Sequence, residues 1–113
     1  MAISSNTTTT SDSVELFQYH TKGLIVESVV SSRTDGTYTT TVEHSPDGST
    51  WYTLTDDENA AVTCAAQSAN GGVLKVVLEN VPMFPYLRAS VASTSVTTGA
   101  TVTVNLHFGD ATK

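Results

Sequence analysis

Residues 98–109, Thr98-Gly99-Ala100-Thr101-Val102-Thr103-Val104-Asn105-Leu106-His107-Phe108-Gly109, decide the fold class. Val102, Val104, Leu106 and Phe108 fall on one side of an extended chain; Thr101, Thr103, Asn105 and His107 fall on the other. A period of two, with β-branched residues on both faces, marks a strand that buries one face. All four apolar side chains are therefore expected in a core. The same alternation recurs upstream at Val14–Tyr19, Leu24–Ser31, Thr37–His44, Trp51–Thr55, Ala61–Ala65, Val73–Leu78 and Leu87–Ala92. The stretch VLKVVLENV (73–81) could turn as a helix, but its β-branched content and the preceding Asn70-Gly71-Gly72 favour a strand.

The punctuation between these runs agrees with strands. Asp35-Gly36, Ser45-Pro46-Asp47-Gly48, Asn70-Gly71-Gly72 and Thr98-Gly99 supply the positive-φ residues of tight turns. Ser45–Thr50 is expected to form a hairpin with Gly48 at positive φ. Pro82 and Pro85 bracket Met83-Phe84, leaving no room for a ladder and predicting a crossover between sheets. Strands with turns at these intervals predict an all-β protein, an antiparallel β-sandwich or jelly roll of about eight strands. The sandwich domain is expected over 13–113. The first twelve residues, MAISSNTTTTSD, carry only Ile3 as an internal apolar anchor and read as a flexible N-terminal arm, frayed or ordered against a neighbouring subunit.

Composition narrows the function. The chain has 113 residues, of which 20 are Thr and 13 Ser, while only 14% are charged. Hydroxyls rather than charges must wet the surface. With 5 basic residues against 11 acidic ones and a net charge of −6, no clustered Lys and Arg are available to neutralise nucleic-acid phosphates or to bind an anionic membrane. The opening MAISSNTTTT has neither a cationic start nor an apolar run of the kind that directs secretion. Asn6-Thr7-Thr8 matches the glycosylation pattern, read here as a chance match. The lone Cys64 excludes an internal disulfide, cannot build a zinc site by itself, and lies in AAVTCAA, where a buried inert thiol is expected.

Catalytic patterns are weak. His20, His44 and His107 sit far apart with no metal-ligand spacing, and no GxSxG accompanies the many serines. Asp56-Asp57-Glu58 lacks the alternating spacing of a calcium loop and reads as a solvated turn. A non-enzymatic protein without cofactor or metal is expected. Trp51 and Tyr52 are candidate glycan-binding rings; alternation lets only one point inward, with Trp51 as core anchor and Tyr52 as the exposed ring. Ile3, Met83, Phe84 and Tyr86, together with Leu16, are hard to place in one sandwich core. The first four are therefore candidates for a partner interface.

The hairpin VEHSPDGSTWYTL resembles a strand–turn–strand element of discoidin-like modules, although the paired cysteines of those modules are absent. A wider resemblance joins the Ser/Thr-rich start, SPDGSTWYTL, VPMFPYLRASV and the closing TVTVNLHFG. Together these resemble the small all-β virion structural proteins of tailed bacteriophages, capsid decoration (cement) proteins among them. The resemblance implies a jelly-roll or sandwich body on the outside of a capsid shell. It further implies major capsid protein as partner, a homo-oligomer (dimer or trimer), and a location on the virion exterior after synthesis in the host cytoplasm. The alternative is a carbohydrate-binding or host-attachment module of a tail fibre or spike.

Overall fold

A computed structural model describes residues 1–16, 20–56 and 58–108. Among these residues nine strands form: β1 (Ala2–Ile3), β2 (Thr8–Thr10), β3 (Val14–Glu15), β4 (His20–Ser31), β5 (Thr37–Ser45), β6 (Tyr52–Thr53), β7 (Gly71–Pro82), β8 (Tyr86–Thr94) and β9 (Ala100–Phe108). The fold is all-β. One antiparallel sheet, sheet A, runs β1-β9-β4-β7; the other, sheet B, runs β2-β8-β5-β6, with β3 also paired to β8. Side chains pointing inward from both faces fill a sandwich core. The expected strand Val14–Tyr19 is present over Val14–Glu15; positions 17–19 lie outside the described residues, as do Asp57 of the acidic turn and 109–113 at the end of the expected domain.

The long strands alternate between sheets: β4, β7 and β9 in sheet A, β5 and β8 in sheet B. Two of the tight turns are therefore arches between the sheets. Asp35-Gly36 carries the chain from β4 to β5, and Thr98-Gly99 from β8 to β9, each across the sandwich. The Met83–Pro85 segment crosses from β7 to β8, as its prolines indicate. The hairpin at Ser45–Thr50 forms between β5 and β6, with Gly48 at φ 80°. There the Ser45 hydroxyl accepts the N–H groups of Asp47 and Gly48, and Asp47 Oδ1 accepts those of Ser49 and Thr50. The run Ala61–Ala65 does not make a continuous strand. It follows β5 through the isolated bridges Thr41↔Thr63 and Tyr38↔Gln67, while Val62 and Cys64 turn into the core.

One carboxylate ties the two arches together. Asp35 accepts the backbone N–H groups of Thr97, Thr98 and Gly99 at 2.8–3.1 Å. The Gly99 amide above all, helped by those of Thr98 and Thr97, holds its pKa below the ordinary value of 3.8 against an opposing cost of desolvation second only to the Gly99 bond. Amides at the β5–β6 hairpin do the same for Asp47, led by Thr50 and Ser49. A carboxyl more acidic in the folded than in the unfolded chain stabilises the fold above its unfolded pKa, and that stability disappears as pH falls through the folded value. Wild-type stability is therefore expected to fall as pH drops below about 4. Asp35→Asn should be less stable at neutral pH and show a shallower acid loss. Urea midpoints measured at neutral pH and at acid pH check this; parallel pH curves would contradict it.

The arm is part of the sandwich. Ile3 pairs with Ala100, is 3% exposed, and packs with Val30, Tyr38, Val91 and Val102. Thr8–Thr10 pair with Ala92–Ser90 on the opposite sheet. Between these two strands Ser93 Oγ contacts the carbonyls of Ser5 and Thr7, and Asn6 Oδ1 accepts the Val96 N–H. Backbone pairing thus supplies what the polar composition could not, and residues 1–10 strap one sheet to the other. Ile3 is a core residue of its own chain, not a surface anchor for a partner.

Two more expectations are corrected by the core. Met83, 4% exposed, lies among Leu24, Val42, Leu54, Val77, Val81 and Leu87, so the crossover tucks it beneath one end of the sandwich. Leu16 packs against the same cluster. On β9 the alternation is right but burial fades along the strand: Val102 is fully buried, Val104 and Leu106 partly, and Phe108 is 38% exposed. A cleft of about 490 Å³ opens here, lined by Val104, Leu106 and Phe108 from β9 and by Ser11, Val14 and Leu87 from the other sheet's side. Periodicity reports which face a residue is on; it does not report where the opposing sheet stops.

Three polar side chains cross the interior. Ser28 on β4 donates to Gln67 Oε1 at 2.9 Å, and Thr40 on β5 bonds Ser28 Oγ at 2.9 Å. Because the Ser28 proton is committed to Gln67, the Thr40 hydroxyl is the donor to Ser28. Gln67 Nε2 then donates to the Gly71 carbonyl at 3.0 Å. With each group partnered, this network costs little and fixes how sheet A sits over sheet B.

Candidate functional site: two surface clusters

The first cluster lies where the β5–β6 hairpin meets the β7–β8 crossover. Pairing of His44 with Tyr52 sets the Tyr52 ring on the surface, 52% exposed. Phe84, lifted out by the flanking prolines, places its ring 6.3 Å from Tyr52 and 4.9 Å from His44. The Phe84 N–H donates to His44 Nδ1 at 3.0 Å, which makes Nδ1 the unprotonated nitrogen. Partial burial holds the His44 pKa below its ordinary value, so the ring is neutral near pH 7. A cleft of about 260 Å³ lined by His44, Thr55, Pro82, Met83 and Phe84 opens beside the rings. One member of each candidate set, Tyr52 and Phe84, thus meets at one place. Tyr86 is set apart from them, partly buried with its ring beside Gly48.

Trp51 is neither core nor open platform. The Arg88 guanidinium lies over its ring at 4.2 Å, and Arg88 Nε bonds Glu43 Oε1 at 2.7 Å. Alternation does not govern Trp51, because it precedes β6, a strand of only two residues whose side chains are both exposed. A cation already stacks on the face that a sugar would need.

The second cluster was not singled out from the sequence. On β7 three alternate residues point away from the core: Leu74 is 61% exposed, Val76 48% and Leu78 76%. Register places Ile25 of β4 beside Val76, and it is 37% exposed. Together these four residues present on the order of 400 Å² of surface, within the roughly 300–600 Å² of the largest apolar patch on an ordinary monomer, a patch that often has a function. A polar row borders the patch on β4 and β9, where Glu27 accepts from Asn105 Nδ2 at 3.2 Å and lies 3.5 Å from His107 Nε2. The signal was available in VLKVVLENV, which is apolar at adjacent as well as alternate positions. A strand with one dry face has no need of that.

The remaining chemical candidates are local. Asp56 Oδ1 accepts the N–H groups of Glu58 and Ala60, so this acidic residue caps its own turn. Cys64 is buried, and burial pushes its thiol pKa up. Among the described residues no three His, Cys, Asp or Glu side chains come together in a group that could hold a metal ion. Among the described residues no helix is long and apolar enough to cross a membrane. Compared with protein-family models, curated proteins and solved structures, the chain matches none.

Proposed function

We propose that this chain is a non-enzymatic virion protein of the capsid-decoration type. It binds the outer surface of a shell of major capsid protein and staples neighbouring shell subunits. The observation that carries the reading is the exposed apolar patch of Ile25, Leu74, Val76 and Leu78 on the outer face of sheet A. Covering roughly 400 Å² of apolar area is worth about 10 kcal/mol before the costs of association are subtracted. An extended apolar sheet face suits a repeating protein lattice better than a small ligand. Because only the assembled shell would present all the contacts, each bound copy would stabilise the shell by mass action, RT ln(1 + [L]/Kd) per site.

Exposed positions can be changed without disturbing the core, so Leu74→Ser with Leu78→Ser should leave the thermal midpoint nearly unchanged. Co-sedimentation with undecorated shells should show at least about a tenfold loss of affinity. Unchanged shell binding by the folded double variant would contradict this docking face.

A second reading rests on the other cluster. Tyr52 and Phe84 flank a cleft, and aromatic rings beside a concavity suit a sugar ring in a host-attachment module. Glycan-array binding that is lost in folded Tyr52→Ala would move the function to this reading.

A further inference from the structure

We propose that the outer edge of β9 docks a single extended peptide segment of another protein, one with apolar side chains at alternate positions and a lysine or arginine at its end. This site is an edge of sheet A, not the outer face read above as the shell-docking surface, so either can fail without the other.

The two sheets are unequal along this side. Beyond β8, sheet B carries a further row: β2 beside Ser90–Ala92 and β3 beside Tyr86–Leu87, joined through Ser11, whose N–H donates to the Ala89 carbonyl. Beyond β9, sheet A carries only β1, beside Ala100 and Thr101, with Met1 bonded to Val102. From Thr103 to Phe108, about 20 Å of strand, nothing pairs with this side of β9 among the described residues. The cleft of about 490 Å³ is this vacant strand position. Val104, Leu106 and Phe108 line it from sheet A, and Ser11, Asp12 and Val14 from sheet B. Because β1 runs antiparallel to β9, the vacancy continues the line that β1 begins.

The backbone on this edge is free to pair. Val102 donates its N–H to the Met1 carbonyl at 2.8 Å and accepts from the Met1 nitrogen at 2.7 Å. A period of two turns the N–H and C=O groups of Val104 and Leu106 to the same edge and their side chains towards the cleft. Proteins blunt open edges with charges or prolines, yet Thr103–Phe108 contains no lysine, arginine, acidic residue or proline. The far side of β7 is open too, but its inward residues Val77 and Val81 are already buried. A strand added there gains no core; one added at β9 covers Val104, Leu106 and Phe108.

Two observations define the occupant. Antiparallel pairing of two β9 edges, the arrangement a two-fold imposes, would drive a second copy's β8 into the space that this chain's β2–β3 row already fills. A lone segment carries no second sheet and meets no such obstacle. Charge supplies the rest. Asp12 stands exposed at the mouth and forms no ion pair among the described residues, whereas the lining cation Arg88 is engaged by Glu43 and Trp51. In a chain of net charge −6 the mouth is negative, which favours a basic segment.

The probe is the peptide acetyl-Lys-Thr-Val-Thr-Val-Thr-Lys-amide, titrated into the full chain while amide exchange is followed by NMR. It should bind with Kd below about 1 mM and, at saturation, slow exchange at Val104 and Leu106 at least about tenfold, leaving β7 unaffected. An analogue with serine for both valines pairs but fills nothing, and should bind at least about tenfold more weakly. Glutamate for both lysines should weaken binding at least about threefold, and Asp12→Lys, at an exposed position, should reverse that order. No protection at about 1 mM peptide, or protection at β7 in its place, overturns the proposal. Equal binding of the serine analogue overturns the part played by the cleft. A preference for lysine that Asp12→Lys leaves unchanged overturns the basic occupant.

Discussion

Replacing Gly99 by Ala is expected to destabilise the fold by about 3–5 kcal/mol, from backbone strain of roughly 1–3 and the release of Ile3, worth roughly 1.5–3. Gly99 has φ 106°, a region L-residues avoid, and a Cβ there would stand 1.7 Å from the Ile3 carbonyl oxygen and 2.8 Å from its carbon. Neither side can yield cheaply. Ile3 is held by pairing with Ala100 and by burial, and the Gly99 N–H is bound to Asp35 Oδ1 at 2.8 Å. Relief therefore comes from lifting the N-terminal strand, which uncovers Val30, Tyr38 and Val102. For a domain of this size the melting temperature should fall by more than about 10 °C. Gly71→Ala is the control: its φ of 130° is also unfavourable, but no atom lies within 4 Å of the added carbon, so only strain remains. Equal losses in the two variants would mean that the strap does not cross Gly99 as described.

Tyr38→Ala should cost about 3–5 kcal/mol, the range for a core aromatic. Tyr38 is the largest of the fully buried side chains and joins β5 to the cluster of Ile3, Val30 and Val102. Its hydroxyl donates to the Asp35 carbonyl at 2.7 Å, anchoring the arch that caps Thr97–Gly99. Tyr38→Phe keeps the ring and removes that bond, so it should cost about 1 kcal/mol. Chemical denaturation of both variants separates packing from hydrogen bonding. A loss below about 1 kcal/mol for the alanine variant would contradict the placement of the ring.

The period of two revealed the class of fold and the inward face of the long strands, because alternation is a local property of extended chain. Tyr38, Val42, Val91 and Val102 lie inside, as their runs imply. What alternation could not carry was where sheets end and what covers them. Phe108 sits on the inward side yet stands 38% exposed beside an open cleft. Ile3 and Met83 read as partner contacts by composition and proline flanking, but the arm and the crossover fold them into the chain's own core. Asp35-Gly36 and Thr98-Gly99 read as tight turns, but a glycine at positive φ serves an arch between sheets as well as a hairpin. Ser28 shows the same limit from the polar side: its burial depends on Thr40 and Gln67, which are distant in sequence.

The candidate site was legible in fragments. Tyr52 and Phe84 were each identified, but their meeting depends on a crossover that brings residue 84 beside the β5–β6 hairpin. The outer patch of sheet A depends on which strands neighbour one another. Ile25 joins Leu74, Val76 and Leu78 only because β4 pairs with β7. No local pattern contains that pairing.

The proposed shell decoration is tested most directly by cryo-electron microscopy of a phage particle purified from the source of this sequence. The expected map shows β-sandwich density on the outside of the capsid, with the outer face of β4 and β7 seated against major capsid protein and Leu74 and Leu78 in the contact. A particle lacking the protein, or carrying it only on the tail, would contradict the account.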